Sequence, residues 1–318
     1  MIDFRYHLVS IVAIFLALAL GIVLGSTTLS DSVSDTLRQQ ANQAAKTAQE
    51  ARLEQRRLQG LLDGDEQFAR LLAPQIVQGR LAGQSVVLVE TPGAGNEAIE
   101  RVGELAKDAG ATVTGRVTVQ KKLLDDDQQS SVEQLAVGLR GEGPAFPSGA
   151  GPYDKAGAVL AGALGTRDQA ASGREDASGG AVLNAFRQAG YITTSGKPGQ
   201  HATLAIMVAP AGGYAYEGGD ADNKALISLA AALDAANRGT VVAGPATSAQ
   251  ESGLIAALRD ADAGDEVSTV DMVDVPSGRV VTVLALQNEL NGKSGRYGTG
   301  AGVNGYLPSP APTVARSG

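Results

Sequence analysis

The chain begins with a long apolar stretch, LVSIVAIFLALALGIVLG at residues 8–25, in which no side chain is charged. A helix of this length spans roughly 27 Å at about 1.5 Å per residue, close to the hydrocarbon thickness of a bilayer. Two alternatives stay open. One is a buried core helix, which usually keeps a polar stripe; the other is a cleaved signal, whose apolar region is usually about 7 to 15 residues long. The pattern favours a retained transmembrane anchor, and we assign residues 1–26 to cytoplasmic N-terminal residues and this anchor.

Basic groups indicate how the anchor is oriented. Arg5 and the terminal amine precede it, whereas the first basic residue after it is Arg38. Because the more basic flank stays in the cytoplasm, the sequence predicts a single-pass protein of the cell membrane with its N-terminus inside. The rest of the chain is then expected outside the cytoplasm.

Small residues recur every four positions within the anchor and form what we call the small-residue face: Ala13, Ala17, Gly21 and Gly25. Such a face lets two helix backbones approach closely in lipid, so it predicts self-association. Alanine and glycine are also common in membrane helices for other reasons, and that alternative stays open.

A second helical segment, the stalk at residues 27–80, follows the anchor. Apolar or small residues alternate in steps of three and four and form what we call the stalk seam: Leu37, Ala41, Ala44, Ala48, Ala51, Gln55, Leu58 and Leu62. This heptad spacing predicts a short parallel coiled coil, and hence a homodimer, although the four alanines and Gln55 make the seam thin. A solvated helix that leans on the following domain is the alternative.

The pattern then changes to alternating strands and helices over residues 81–292. Short apolar runs predict strands at 85–90, 111–119, 203–210, 240–245, 268–273 and 278–286, and helices are predicted at 95–109, 130–140, 155–164, 179–189, 221–237 and 249–260. This alternation predicts an α/β domain with a mostly parallel, Rossmann-like sheet flanked by helices. The last two strands could instead form an antiparallel hairpin. Residues 141–152 read as a Gly/Pro-rich loop and residues 293–318 as a flexible Gly/Pro-rich tail.

Composition removes several classes of site. The net charge is −8, so the surface repels phosphate backbones and no nucleic-acid partner is expected. The chain has no Cys, two His and three Met, which leaves few soft metal ligands. We assign no catalytic residue and no cofactor-binding residue, we leave any metal ligand unassigned, and we expect no enzyme activity.

Two local patterns are weaker alternatives. Gly93, Gly95 and Ala98 open a helix after the first strand and match a form of the dinucleotide fingerprint. A Gly-rich turn is the simpler interpretation, because Glu97 places a negative charge where a phosphate would sit. Acidic residues between 260 and 271 resemble a calcium loop but lack its required glycine, so a solvated turn is favoured.

Two longer segments resemble a known family. The opening M-I-D-F-R-Y-H-L-V-S-I-V-A-I-F-L-A-L-A-L-G-I-V-L-G and the later L-x-x-x-L-N-G-K-S-G-R-Y-G-T-G (Leu286 to Gly300) resemble the mycobacterial copper transport outer membrane protein (MctB) family of actinobacteria. The resemblance covers nearly the whole chain. It implies a cell-envelope protein with a role in copper export or copper homeostasis, and copper enters through this resemblance alone. Related corynebacterial proteins, SteB, imply the alternative of an envelope scaffold that binds a division or envelope protein in cell separation.

Overall fold

The structure is a computed structural model that describes residues 3–140, 145–213 and 219–309. The chain divides into two compact units, Met1–Asp65 and Glu66–Gly318. The first helix, α1 (Asp3–Val77), contains both the predicted anchor and the predicted stalk. It extends past Pro74, whose missing N–H costs about 3 kcal/mol in a helix interior. Ala73 and Val77 are buried in the core, and burial of one valine side chain stabilises the fold by about 1.5 to 3 kcal/mol, which offsets most of that cost. The α/β unit therefore includes residues that the sequence analysis assigned to the stalk.

In the part of the chain that the structure describes, the second unit contains the sheet and eight further α-helices. Its strands are β1 (Ser85–Glu90), β2 (Thr112–Val119), β3 (Ile192–Gly196), β4 (Leu204–Val208), β5 (Thr240–Ala243), β6 (Ser268–Val270) and β7 (Arg296–Tyr297). Its helices within the described residues are α2 (Asn96–Asp108), α3 (Lys121–Leu124), α4 (Gln129–Leu139), α5 (Pro152–Leu164), α6 (Ala177–Gln188), α7 (Gly219–Ala236), α8 (Leu254–Asp260) and α9 (Pro276–Leu290).

The sheet order is β3-β2-β1-β4-β5-β6-β7, and every neighbouring pair is parallel except β2 with β3. A mostly parallel sheet flanked by helices is therefore confirmed. The chain moves outward from β1 to β2 and later returns to β4 on the other side of β1. This change of direction creates a switch point between β1 and β4, where ligands bind in many open α/β sheets.

Burial explains which strands lie at the centre. All residues of β1, β4 and β5 are buried, as expected for apolar strands covered on both faces. One core lies between the sheet and helices that include α5, α6 and α7. The other lies between the sheet and α2, α9 and the end of α1.

The prediction of a strand at 278–286 is wrong, because these residues lie in α9. The run GRVVTVLAL has no polar stripe because the helix is buried around most of its circumference, including Val281 and Val283. Pro276 in the first turn is typical of a helix start. The alternative of a terminal hairpin is also wrong, because its second strand, residues 278–286, lies in α9.

Two further segments differ from the sequence analysis. The polar edge strand β3 was not predicted. Residues 293–309 of the proposed flexible tail form β7 and a turn region, with Tyr297 buried, while residues 310–318 lie outside the described residues. Residues 141–144 of the Gly/Pro-rich loop also lie outside them.

Candidate functional site

The apolar N-terminal segment is exposed along its length. Within the described residues, Arg5–Gly25 is the one stretch that is long and apolar enough to cross a bilayer, with a mean hydropathy of 2.9. Its large side chains, such as Ile14 and Phe15, are exposed, and none of this segment is buried inside the protein. The core-helix interpretation is therefore wrong. Exposed apolar surface of this size is typical of a segment that contacts lipid or another protein.

The small-residue face and the stalk seam point in different directions on α1. At 100° per residue, the centre of Ala13, Ala17, Gly21 and Gly25 lies about 170° from the centre of the first four seam residues. A left-handed supercoil of about 150 Å pitch recovers only part of that angle. Two copies joined along the stalk seam would therefore leave their small-residue faces about 90° away from the contact, so these two predicted interfaces compete.

The stalk seam itself is solvent-exposed in a single copy. Its leucines Leu37, Leu58 and Leu62 have exposed fractions of 59%, 47% and 60%. The seam alanines and Gln55 are also exposed. The side chains beside the seam form local ion pairs, such as Arg57 with Glu54 at 2.8 Å. The seam is therefore an apolar surface with charged flanks and no cover from its own unit.

Polar side chains at the carboxyl ends of β1 and β2 form a cluster in which they hydrogen-bond to one another. Glu90, largely buried, receives a hydrogen bond from Thr118 Oγ1 at 2.6 Å and one from Arg116 Nε at 2.9 Å. Arg116 also donates to Asn96 Oδ1 at 2.7 Å. The carboxylate at the switch point is thus already paired, which leaves it poorly suited to act as a free acid or base.

The Gly93 turn fits tightly against the next loop of the sheet. Gly93 has a φ of +83°, and a Cβ at this position would lie 3.5 Å from Pro210 Cβ. The carbonyl of Gly93 accepts a hydrogen bond from Ala211 N at 3.3 Å, and Thr247 Oγ1 donates to the Ala211 carbonyl. The loops after β1, β4 and β5 are therefore joined to one another. This supports the interpretation of Gly93 as a structural turn.

A buried ion pair lies at the carboxyl end of β6. Arg259 Nη1 donates to Asp271 Oδ2 at 2.9 Å, and their side chains are only 3% and 0% exposed. Asp271 also accepts from the backbone N–H groups of Thr299, at 2.8 Å, and Gly300, at 3.0 Å. Arg259 donates to the carbonyls of Tyr297 and Ala301. Asp271 is thus a structural partner of an arginine, and the calcium-loop interpretation does not apply to it.

This ion pair explains the R-Y-G-T-G motif. A Cβ at Gly298 would overlap Asp271 Oδ1, and a Cβ at Gly300 would lie 2.7 Å from Asp271 Oδ2. Glycine is required at both positions so that the backbone can reach the carboxylate. The motif holds the C-terminal segment against the sheet, a role that its residue types and spacing do not reveal.

The soft metal ligands are dispersed. Met207 and Met272 are buried in the core, and His7 is exposed on α1. His201 Nε2 lies 3.9 Å from Asp176 Oδ2 and has no hydrogen-bond partner. Among the described residues, no three His, Asp or Glu side chains are grouped to hold a metal ion.

Two carboxyl groups lie at the opposite, amino-terminal edge of the sheet: Glu289 is buried and Asp234 is partly buried. Burial raises the pKa of Glu289 to about 8, against the hydrogen bonds from Ser268 that lower it. Ser268 N donates to Glu289 Oε1 at 3.1 Å, and the Ser268 hydroxyl donates to the same oxygen. Burial also raises the pKa of Asp234 to about 6. At neutral pH, Glu289 is therefore mostly protonated inside the fold.

Comparison with known proteins gives one consistent result. The family model described as "Copper transport outer membrane protein, MctB" matches residues 1–308. Proteins named "Copper transporter MctB" from Mycobacterium bovis and Mycobacterium tuberculosis are each 32% identical over 310 residues, which cover 95% of this chain and 98% of theirs. The protein of that name from Mycobacterium leprae is 30% identical over 245 residues, 74% of this chain and 76% of its own.

Proposed function

The chain belongs to the MctB family of copper transport outer membrane proteins, and on that premise we propose that it is a membrane-anchored envelope protein that takes part in copper homeostasis. The observation that carries this proposal is the share of the chain over which the sequence similarity extends. The family model matches residues 1–308, which include the apolar segment and the R-Y-G-T-G motif, and the proteins named as copper transporters match 95% of the chain. Both parts of the protein therefore belong to the family pattern.

The anchor supports the membrane part of the proposal. The 21 residues Arg5–Gly25 have enough length and hydropathy to span a bilayer, and their side chains are available to lipid. We place the N-terminus in the cytoplasm, because Arg5 precedes the span and Arg38 is the first base after it. The α/β unit then lies on the outer side of the cell membrane. We propose a single-pass topology in the cell membrane, which differs from the outer-membrane location in the family name.

Copper is the cargo in this proposal, and the proposed role contains no reaction catalysed by this chain. The acidic groups at the carboxyl ends of the strands support that view, because Glu90 after β1 and Asp271 after β6 are both paired with arginines. The anchored unit would instead act through its position in the envelope and through the surfaces that it presents.

The experiment is a clean deletion of the coding sequence, with cell copper measured by mass spectrometry at several external copper concentrations. We expect the deletion strain to accumulate more copper and to stop growing at a lower external concentration, and the full-length chain to restore both. Zinc content in the same cells is the control, and it is expected to stay unchanged. Normal copper content in the deletion strain would contradict the proposal, and a defect in cell separation without a copper change would favour the scaffold alternative.

A further inference from the structure

Resting on the anchoring in the proposed function, we propose that the stalk seam binds a second copy of this chain, parallel and in register, and that Gln55 sets the register. The seam alternates steps of three and four residues from Leu37 to Leu62, an average repeat of 3.5. A surface with this repeat fits a partner helix that supercoils with the same repeat. Another copy of the same stalk meets that requirement.

The exposed seam provides the apolar surface for this contact. Leu58 and Leu62 provide two apolar layers near the end of the first unit, and Leu37 provides another at the start of the seam. The alanines between them allow the two helix backbones to approach closely. The interface therefore has leucine layers at both ends, and the two helices lie closer together at the alanine layers between them.

The charges beside the seam are compatible with a parallel pair. In that arrangement, each residue before an a-type position faces the residue five places further along in the second copy. Glu54 would face Gln59, and Thr47 would face Arg52, so no like charges meet. The charge of Glu54 is also balanced within its own helix by Arg57, whose Nε lies 2.9 Å from it.

Gln55 is the polar exception in the seam, and it discriminates among the possible pairings. In a parallel, in-register pair it faces Gln55 of the second copy, where each amide can donate to and accept from the other. A shift by one heptad places it against Ala48 or Leu62 and leaves the amide without a partner. An antiparallel pair also places it against an apolar layer, because a-type and d-type positions then face each other. A single polar a-type residue commonly specifies register in this way.

The absence of cysteine from the sequence permits a direct test in native membranes. Full-length chains carrying Ala41→Cys, Ala48→Cys or Leu58→Cys are oxidised mildly and analysed without reductant. We expect each to form a disulfide-linked dimer, because facing seam positions fall within the Cα separation of roughly 4.4 to 6.8 Å that a disulfide needs. The matched control is Gln49→Cys, one residue off the seam, which is expected to give about tenfold less dimer. An antiparallel pair would cross-link at no more than one of the three seam positions.

Register is tested with two differently tagged copies in one cell, one carrying Ala41→Cys and the other Ala48→Cys. We expect little mixed disulfide between them. Adding Gln55→Leu to both copies should increase that product by several-fold, whereas Gln49→Leu should not. A mixed product that is already abundant with Gln55 present would overturn its role in setting register.

The two proposals fail differently. If the chain is full length in membranes but none of the seam cysteines cross-links, the stalk pairing is wrong and the anchoring stands. If the chain is found shortened and free of membranes, the anchoring on which both rest is wrong. Cross-linking confined to Gln49→Cys would also overturn the assignment of the seam.

Discussion

Replacing Asp271 with asparagine should destabilise the α/β unit strongly. Asp271 is fully buried and accepts from three N–H donors, which belong to Arg259, Thr299 and Gly300. An asparagine side chain has one oxygen and one NH₂ group, so its NH₂ must face at least one of these donors. The positive charge of Arg259 would also stay buried, at 3% exposure, without its counter-ion.

The size of the effect follows from this burial. Removing one partner of a buried ion pair costs about 3 to 5 kcal/mol, whereas an exposed pair contributes about 0 to 1 kcal/mol. Asp265→Asn is the matched control, because Asp265 pairs with Arg296 at 3.1 Å but is 84% exposed. We therefore expect Asp271→Asn to cost at least 3 kcal/mol and Asp265→Asn less than about 1 kcal/mol.

The assay is calorimetric unfolding of the full-length chain in detergent, with both variants and the wild type at the same protein concentration. Folded structure is checked first by proteolysis at low temperature. If Asp271→Asn and Asp265→Asn lowered the free energy of unfolding equally, the buried pair would not hold the C-terminal segment, and our explanation of the R-Y-G-T-G motif would be incorrect.

Three other predictions concern the fold and the anchor. Burial raises the pKa of Glu289 from 4.5 to about 8. The stability that Glu289 contributes is therefore complete below pH 4.5 and is lost as the pH rises through about 8. Glu289→Gln should remove this loss of stability between about pH 5 and 8, as measured by calorimetry. Gly298→Ala should destabilise in urea unfolding by more than about 1 kcal/mol, because its Cβ would overlap Asp271, whereas Gly64→Ala, with open space around it, should stabilise α1 by about 0.5 to 1 kcal/mol. Lysine at Ile14 should reduce membrane retention, since a centred charge costs about 2.5 to 3.5 kcal/mol, and carbonate extraction measures the released fraction.

Most of the central sheet could be predicted from the sequence because its strands are short, apolar and separated by turn residues. The run SVVLVE corresponds to β1 residue for residue. The same reasoning misassigned residues 278–286, because a helix buried on most sides and a buried strand have the same hydrophobic pattern. Pro276 and the length of the apolar run were the signals that could have separated them.

The polar contacts of the C-terminal segment could not be predicted from spacing. Arg259 lies 12 residues before Asp271, and Thr299 lies 28 residues after it, so only the order of β6 and β7 in the sheet brings them together. The edge strand β3 was missed because its residues, ITTSG, are mostly polar and exposed. An edge strand needs fewer apolar residues than a central one, and a polar edge also discourages pairing with other chains.

The most direct test of the account asks where the two ends of the chain lie in an intact cell. Lys293→Cys introduces the only thiol into the full-length chain, at an exposed position. Cells are treated with a maleimide that does not cross the cytoplasmic membrane, and the labelled protein is recovered from membranes for intact mass. We predict labelling before lysis on a chain that still contains residues 8–25. Labelling only after lysis, or a labelled chain that begins beyond Gly25, would contradict the claim that the N-terminal helix stays in the membrane and holds the α/β unit outside the cytoplasm.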